Sequence, residues 1–255
     1  MSGAPSSFRA DARAAREALD HLLDTDAPAL RNRLAPGFAD AAETYLALLL
    51  EANARLNLTR VVEPDAAARL HLLDSIAALP LIDQVAPTSA LDLGSGGGVP
   101  GIVLAIARPG TRWTLVDSVR KKTDALRGFA EALELRNVEV VAERAEVIGR
   151  GPHRESFDLV AARACAALPV LAEYALPLTR VGGSLLAWKS RVGEDEMSGG
   201  AGASKVLGGA PPQVVPSGVA ALGDHAFVLI RKVAPTPARY PRRPGVPARR
   251  PLPLD

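Results

Sequence analysis

A chain of 255 residues, 48% hydrophobic and 23% charged, has apolar content enough for one large folded unit, which excludes a wholly disordered or collagen-like protein. Aliphatic runs such as Leu46 to Leu50 fall far short of the roughly 20 residues that cross a bilayer. The first thirty residues scatter Arg9, Asp11, Arg13, Arg16 and Glu17 among alanines with no apolar signal segment, and the one cysteine, Cys165, forms neither an internal disulfide nor a metal site alone. The expectation is a cytoplasmic protein, a monomer without metal or membrane contact.

Residues 1–80 read as helical. Ala10 to Leu23 is alanine-rich without Gly or Pro, and Phe38, Ala42, Tyr45, Leu49 and Ala52 recur at the spacing of one helix face. A third helix is expected from Pro64, a favourable first helical position, to Ala78, with Pro80 as its stop. From residue 81 to 233 short apolar runs alternate with helical stretches. Strands are predicted at Ala90–Leu93, Trp113–Val116, Val138–Val141, Phe157–Ala162 and Ser184–Trp188, with helices at Pro100–Ala107, Ser118–Leu135 and Leu168–Leu178. Continuous rather than alternating apolar strands imply a sheet covered on both faces, hence a doubly wound, mostly parallel α/β sheet. Gly193–Ala210, rich in Gly and Ser, is expected to be a mobile loop. Strands near Val214 and over Phe227–Val233 then suggest an edge hairpin.

Residues 234–255 form a third segment, with seven prolines and five arginines against one acid. Its balance of +4 leaves −2 for the rest of the chain, whose total is +2. An extended cationic tail is expected, with Arg242 and Arg243 available to nucleic-acid phosphates or, as the plainer alternative, simply solvated.

Ligands of open parallel sheets bind beyond the carboxyl ends of the strands. The first such end is Asp92-Leu-Gly-Ser-Gly-Gly-Gly-Val-Pro-Gly101, in which Gly96 to Gly101 formally satisfies a dinucleotide fingerprint. That match alone selects no ligand. Asp92, two positions before Gly94, decides: a pyrophosphate wants amide donors, whereas the sulfonium and ammonium of S-adenosylmethionine are attracted to a carboxylate. Asp117, 25 residues on, ends the second strand, where an acid accepts hydrogen bonds from ribose hydroxyls. Capping of the turn by Asp92 and of the next helix by Asp117 are the structural alternatives.

Taken in order, Asn57-Leu-Thr, His71-Leu-Leu-Asp-Ser75, the glycine loop, Leu115-Val-Asp-Ser-Val-Arg-Lys-Lys122, Arg144-Ala-Glu146, Phe157-Asp-Leu-Val-Ala-Ala-Arg-Ala164 and Tyr240-Pro-Arg-Arg-Pro-Gly resemble the 16S ribosomal RNA guanine-N7 methyltransferase family. The resemblance spans about Ala42 to Leu252, and three consecutive glycines replace the Gly-Pro-Gly of many relatives. It implies a Rossmann-like class I methyltransferase domain over 81–233, a helical cap over 1–80, and 16S rRNA or the small ribosomal subunit as partner. It also implies that Gly94, Val99, Ala145, Glu146 and Arg163 join Asp92, Gly96 and Asp117 around the cofactor.

Guanine N7 carries a free lone pair, so methylation there removes no proton and needs alignment rather than a base. No catalytic residue is therefore assigned. Positioning candidates are Asn57 and His71, which the resemblance turns towards substrate, and Lys189, which follows the fifth strand. Lys121 and Lys122 are candidates for RNA, since a cation early in a helix opposes the dipole and is better explained by phosphate, with a solvated face as the alternative; Arg163 is a candidate because it directly follows the Phe157–Ala162 strand and is expected to point into the crevice. A bond from His71 to Asp74 on the same helix face is the structural alternative for that histidine. A non-catalytic RNA- or ribosome-binding protein and a nucleotide-dependent oxidoreductase are the rival readings, the second disfavoured by the acid before the glycines.

Overall fold

The computed structural model describes residues 6–252. The N-terminal third is helical: α1 (Ser6–Thr25), α2 (Pro28–Arg31), α3 (Phe38–Leu56), α4 (Pro64–Ala67), a π-helical turn over Ala68–Leu73, α5 (Asp74–Ile76) and α6 (Leu79–Val85). The apolar face expected of α3 is the buried one, carrying Phe38, Ala42, Tyr45, Leu49 and Ala52. Beyond Pro64 the expectation needs correction. The π turn interrupts the helix, and Pro80 stands in the first turn of α6, where a missing amide costs nothing.

The chain then alternates: β1 (Ser89–Leu93), α7 (Gly101–Ala107), β2 (Arg112–Asp117), α8 (Arg120–Ala132), β3 (Val138–Ala142), α9 (Ala145–Ile148), β4 (Phe157–Arg163), α10 (Leu168–Ala175), β5 (Thr179–Lys189), α11 (Glu194–Val206), β6 (Gln213–Pro216), a 3-10 turn at Ala220–Leu222, β7 (Ala226–Arg231) and α12 (Val246–Arg249). One seven-stranded sheet results, in the order β3-β2-β1-β4-β5-β7-β6. β1 to β5 pair in parallel, while β7 runs antiparallel to β5 and to β6, giving the expected edge hairpin.

Side chains alternate across the sheet, as a strand dictates. Ala90, Leu159, Ala161, Leu186, Trp188 and Phe227 enter one apolar cluster with α1, α3, the π turn and α7. Leu91, Val160, Ala162, Leu185, Ala187 and Val228 enter the opposite cluster with α10 and α11. The N-terminal helices therefore share a core with one face of the sheet. Strand order reverses at β1 and β4, which opens a crevice beyond their carboxyl ends.

Two expectations fail. Gly193–Ala210 is no mobile loop: most of it is α11, begun by Glu194, Asp195 and Glu196 and ended near Lys205, charges that suit both ends of the helix dipole. Its glycines permit close packing, because a Cβ on Gly200 would lie 2.4 Å from Leu168 Cδ2. Nor is the proline-rich tail solvated throughout. Thr236, Tyr240, Pro247 and Leu252 are buried, and α12 forms within it. Proline at the start of a four-residue helix is compatible with that fold, and Tyr240 and Leu252 complete the second apolar cluster.

Candidate active site

The glycine loop is tied from below and from the side. Asp92, fully buried, accepts the Gly101 amide at 3.1 Å, and a Cβ on Gly101 would lie 2.5 Å from that same carboxylate oxygen. Only glycine lets α7 begin this close to β1. Ser95 donates to the Asp92 carbonyl at 2.9 Å and receives the Val116 amide at 3.1 Å. Asp117 holds the loop laterally, taking the Gly96 amide at 3.1 Å with one oxygen and the Val119 amide at 2.8 Å with the other.

A cavity of about 350 Å³ opens beyond these strand ends. Gly94 from the end of β1, Asp117, Ser118 and Val119 after β2, Arg144 to Glu146 after β3, and Cys165 after β4 line it, together with Lys122 and Tyr174. Gly94 has φ of +74°, a conformation L side chains rarely adopt, and a Cβ there would come within 3.1 Å of Cys165 Sγ. Cys165 is exposed as a residue, yet loss of solvent around its thiol first, and then the carboxylates of Asp92, Asp117 and Glu146, push that thiol up to about 11, while Lys189 opposes them. Only the carboxylate part of that shift carries a sign, and it marks negative charge from Asp117 and Glu146 on the wall and Asp92 beneath it.

A second cavity, of about 570 Å³, adjoins the carboxyl ends of β4 and β5. Thr59, His71, Asp74, Arg163, Trp188, Lys189 and His225 line it. Asp74 is its hub. One carboxylate oxygen lies 3.2 Å from Arg163 Nη1 and the other 3.0 Å from His225 Nδ1, while the Asp74 carbonyl receives the Trp188 indole N–H at 2.9 Å. Arg163 also donates to the Leu70 carbonyl. Lys189 Nζ donates to the Ala166 carbonyl at 3.0 Å and to Glu196 at 2.6 Å. The short link from Arg163 to Cys165 separates the cavities, with Arg163 and Ala164 on one side and Cys165 on the other.

Several predicted residues stand elsewhere than expected. Asp92 is not on the cavity wall; it acts from beneath, and burial pushes its carboxyl up to about 6. Gly96 supports the loop through its amide, and half-buried Val99 packs towards the helical core. Arg163 lines the second cavity, not the first. His71 has no bond to Asp74: its Nε2 lies 3.1 Å from Thr59 Oγ1 and 3.2 Å from the Val61 carbonyl, and Nδ1 has no partner. Burial and then the Arg163 charge bring the imidazole down to about 4, so it is neutral near pH 7.

Asn57 is exposed and ends α3 in the left-handed conformation, φ 51°, with its backbone N–H on the Asn53 carbonyl. Lys121 is exposed on α8, and Lys122 Nζ lies 4.0 Å from Asp117. Arg243 is exposed, but Arg242 is committed to Glu173, whose carboxylate is fully buried. Unpartnered surface charge was the wrong picture for Arg242. Sequence reasoning missed Tyr174, Asp74, Trp188 and His225 as cavity residues. For His225 the only signal was the hairpin register, which sets Ala226 opposite Lys189. Among the described residues no His, Cys, Asp and Glu cluster is arranged for a metal ion, and no helix is long and apolar enough to cross a membrane.

The family model described as rRNA small subunit methyltransferase G matches residues 39–220. A Chloroflexus aggregans protein named Ribosomal RNA small subunit methyltransferase G is 46% identical over 211 residues, covering 82% of this chain and 88% of its own length. One of the same name from Roseiflexus sp. is 45% identical over 236 residues, 92% of this chain and 100% of its own. In fold, the chain is similar to an O-methyltransferase from Bacillus cereus determined with SAH, with a TM-score of 0.50, 20% identity, and coverage of 74% of this chain and 91% of that one.

Proposed function

The chain belongs to the ribosomal RNA small subunit methyltransferase G family and is an S-adenosylmethionine-dependent methyltransferase, and we propose that it methylates N7 of a guanine in 16S ribosomal RNA. The observation that carries the reading is the pair of adjoining cavities at the strand ends, one walled by Gly94, Asp117 and Glu146, the other by Arg163 and Lys189 held in place by Asp74 and Glu196. The residues present fit the cofactor. Gly94 leaves room that a Cβ would close, and Asp117 and Glu146 put carboxylates on the wall.

In this reading Asp117 and Glu146 accept hydrogen bonds from ribose or amino groups, and Gly94 and Ala145 supply close backbone approach. Asp92 holds the loop that presents Gly94. When bound, S-adenosylmethionine supplies a methyl group on a sulfonium, open to in-line attack. The second cavity takes the guanosine. Arg163, fixed in orientation by Asp74, and Lys189, fixed by Glu196, face acceptors such as guanine O6 and phosphate oxygens. Neutral His71 adds no charge beside the reacting ring, and no proton need leave N7. Catalysis by alignment needs no general base, so the histidines and carboxylates of this cavity serve to position its cations.

The test is transfer of labelled methyl from S-adenosylmethionine into small-subunit RNA, followed by mapping of the modified base. Label at guanine N7 supports the reading. Label on another atom or base overturns the N7 assignment, and RNA binding without transfer overturns the enzyme.

A further inference from the structure

Charge does not explain why the basic tail folds back across α9 and α10. Lys232, fully buried, anchors its start, donating to the Leu176 carbonyl at 2.6 Å and pairing with Glu155 at 3.0 Å. The Thr236 amide reaches the same Glu155 at 2.6 Å. Leu252, in the second apolar cluster, anchors its end. Between these anchors two carboxylates of the sheet domain receive donors from the tail. Glu173 on α10 takes the Arg242 backbone amide at 2.8 Å and the guanidinium through Nε and Nη2. Glu146 on α9 takes the Gly245 amide at 2.8 Å.

Glu146 is the informative one, because it is buried and also lines the cofactor cavity. Its helix has only four residues, too few to hold a side chain by its own cooperativity. Pro241 covers the end of that helix, lying 3.1 Å from a Cβ built on Gly149, and Arg150 donates to the Pro241 carbonyl at 2.7 Å. The tail is thus the outer support of α9.

We propose that residues 236–252 form a strap that positions Glu146 and so sets cofactor affinity, with Arg242 and Gly245 as positioning residues instead of phosphate ligands. The inference rests on the assignment of the first cavity to S-adenosylmethionine. Glu173 fixes Arg242, Arg242 fixes the following turn, and that turn presents the Gly245 amide to Glu146.

The experiment uses the full chain and calorimetric titration with S-adenosylhomocysteine, alongside steady-state kinetics and binding of 16S RNA. Arg242→Ala is expected to weaken S-adenosylhomocysteine binding and raise the KM for S-adenosylmethionine at least tenfold, with kcat and RNA affinity within twofold of the parent. Arg242→Lys, which keeps a cation for Glu173 and so guards against failure to fold, is expected to restore most of the affinity. Weakened RNA binding with unchanged cofactor affinity in either variant overturns the strap, as does no effect in either. Asp117→Ala separates the two readings. Full affinity in that variant removes the cofactor assignment itself; lost affinity there with an unaffected Arg242→Lys and Arg242→Ala removes only the strap.

Discussion

Asp92 and His71 are buried groups whose proton equilibria pull stability in opposite directions. Burial raises the Asp92 carboxyl from 3.8 to about 6, so between those values the native state binds more protons than the unfolded chain, and stability falls as pH rises. His71 is lowered from 6.5 to about 4, so over that span the unfolded chain binds more protons and stability rises with pH. Their contributions largely cancel between pH 4 and 6. Asp92→Asn keeps an acceptor for the Gly101 amide and is expected to stabilise the fold at pH 7 by roughly 3 kcal/mol, a gain that vanishes below about pH 4. That variant exposes the His71 slope and loses stability on acidification. His71→Gln, conversely, is expected to lose stability relative to the parent as pH rises from 4 to 6. Urea unfolding from pH 4 to 7 checks both, and parallel profiles for the two variants and the parent would contradict the assignment of these groups.

At the scale of elements, the glycines of α11 show why composition misleads. A window rich in Gly and Ser reads as a loop when propensity is summed, yet Gly200 is where α11 meets Leu168 at the start of α10. Gly200→Val is expected to overpack that contact and cost about 1–3 kcal/mol in urea unfolding. Gly193→Ala, where an added Cβ meets nothing within 4 Å, is expected to be silent. The parallel strands were legible because each is a continuous apolar run feeding both sheet faces, as Leu159 to Ala162 illustrates. The π turn over Ala68–Leu73 was not legible. Alanine, leucine and arginine suit an α-helix equally, and only tertiary contacts, such as Arg163 on the Leu70 carbonyl, distinguish the two. Likewise Asp117 at a strand end announced itself, whereas Asp74 became a hub only through partners 89 and 151 residues away.

For the molecule as a whole, composition gives the amount of charge in the tail but not where each arginine is used. Arg242 serves an internal carboxylate, while Arg243, Arg249 and Arg250 remain exposed on the outer side of the tail. Replacing those three with glutamine is expected to weaken RNA binding and lower its salt slope by roughly 0.7–0.9 for each phosphate no longer neutralised, leaving S-adenosylhomocysteine affinity unchanged. An unaltered slope in filter binding would remove the tail from the RNA interface. Helices and sheet share one core and both cavities lie at the strand ends, so the choice of ligand turns on the field of the carboxylates lining the first of them. Calorimetric titration of the parent and of Asp117→Ala with S-adenosylmethionine and with NADH tests that field most directly. Binding of S-adenosylmethionine alone, weakened at least tenfold in Asp117→Ala, is the predicted result; NADH binding to the parent, or equal S-adenosylmethionine affinity in both proteins, would contradict it.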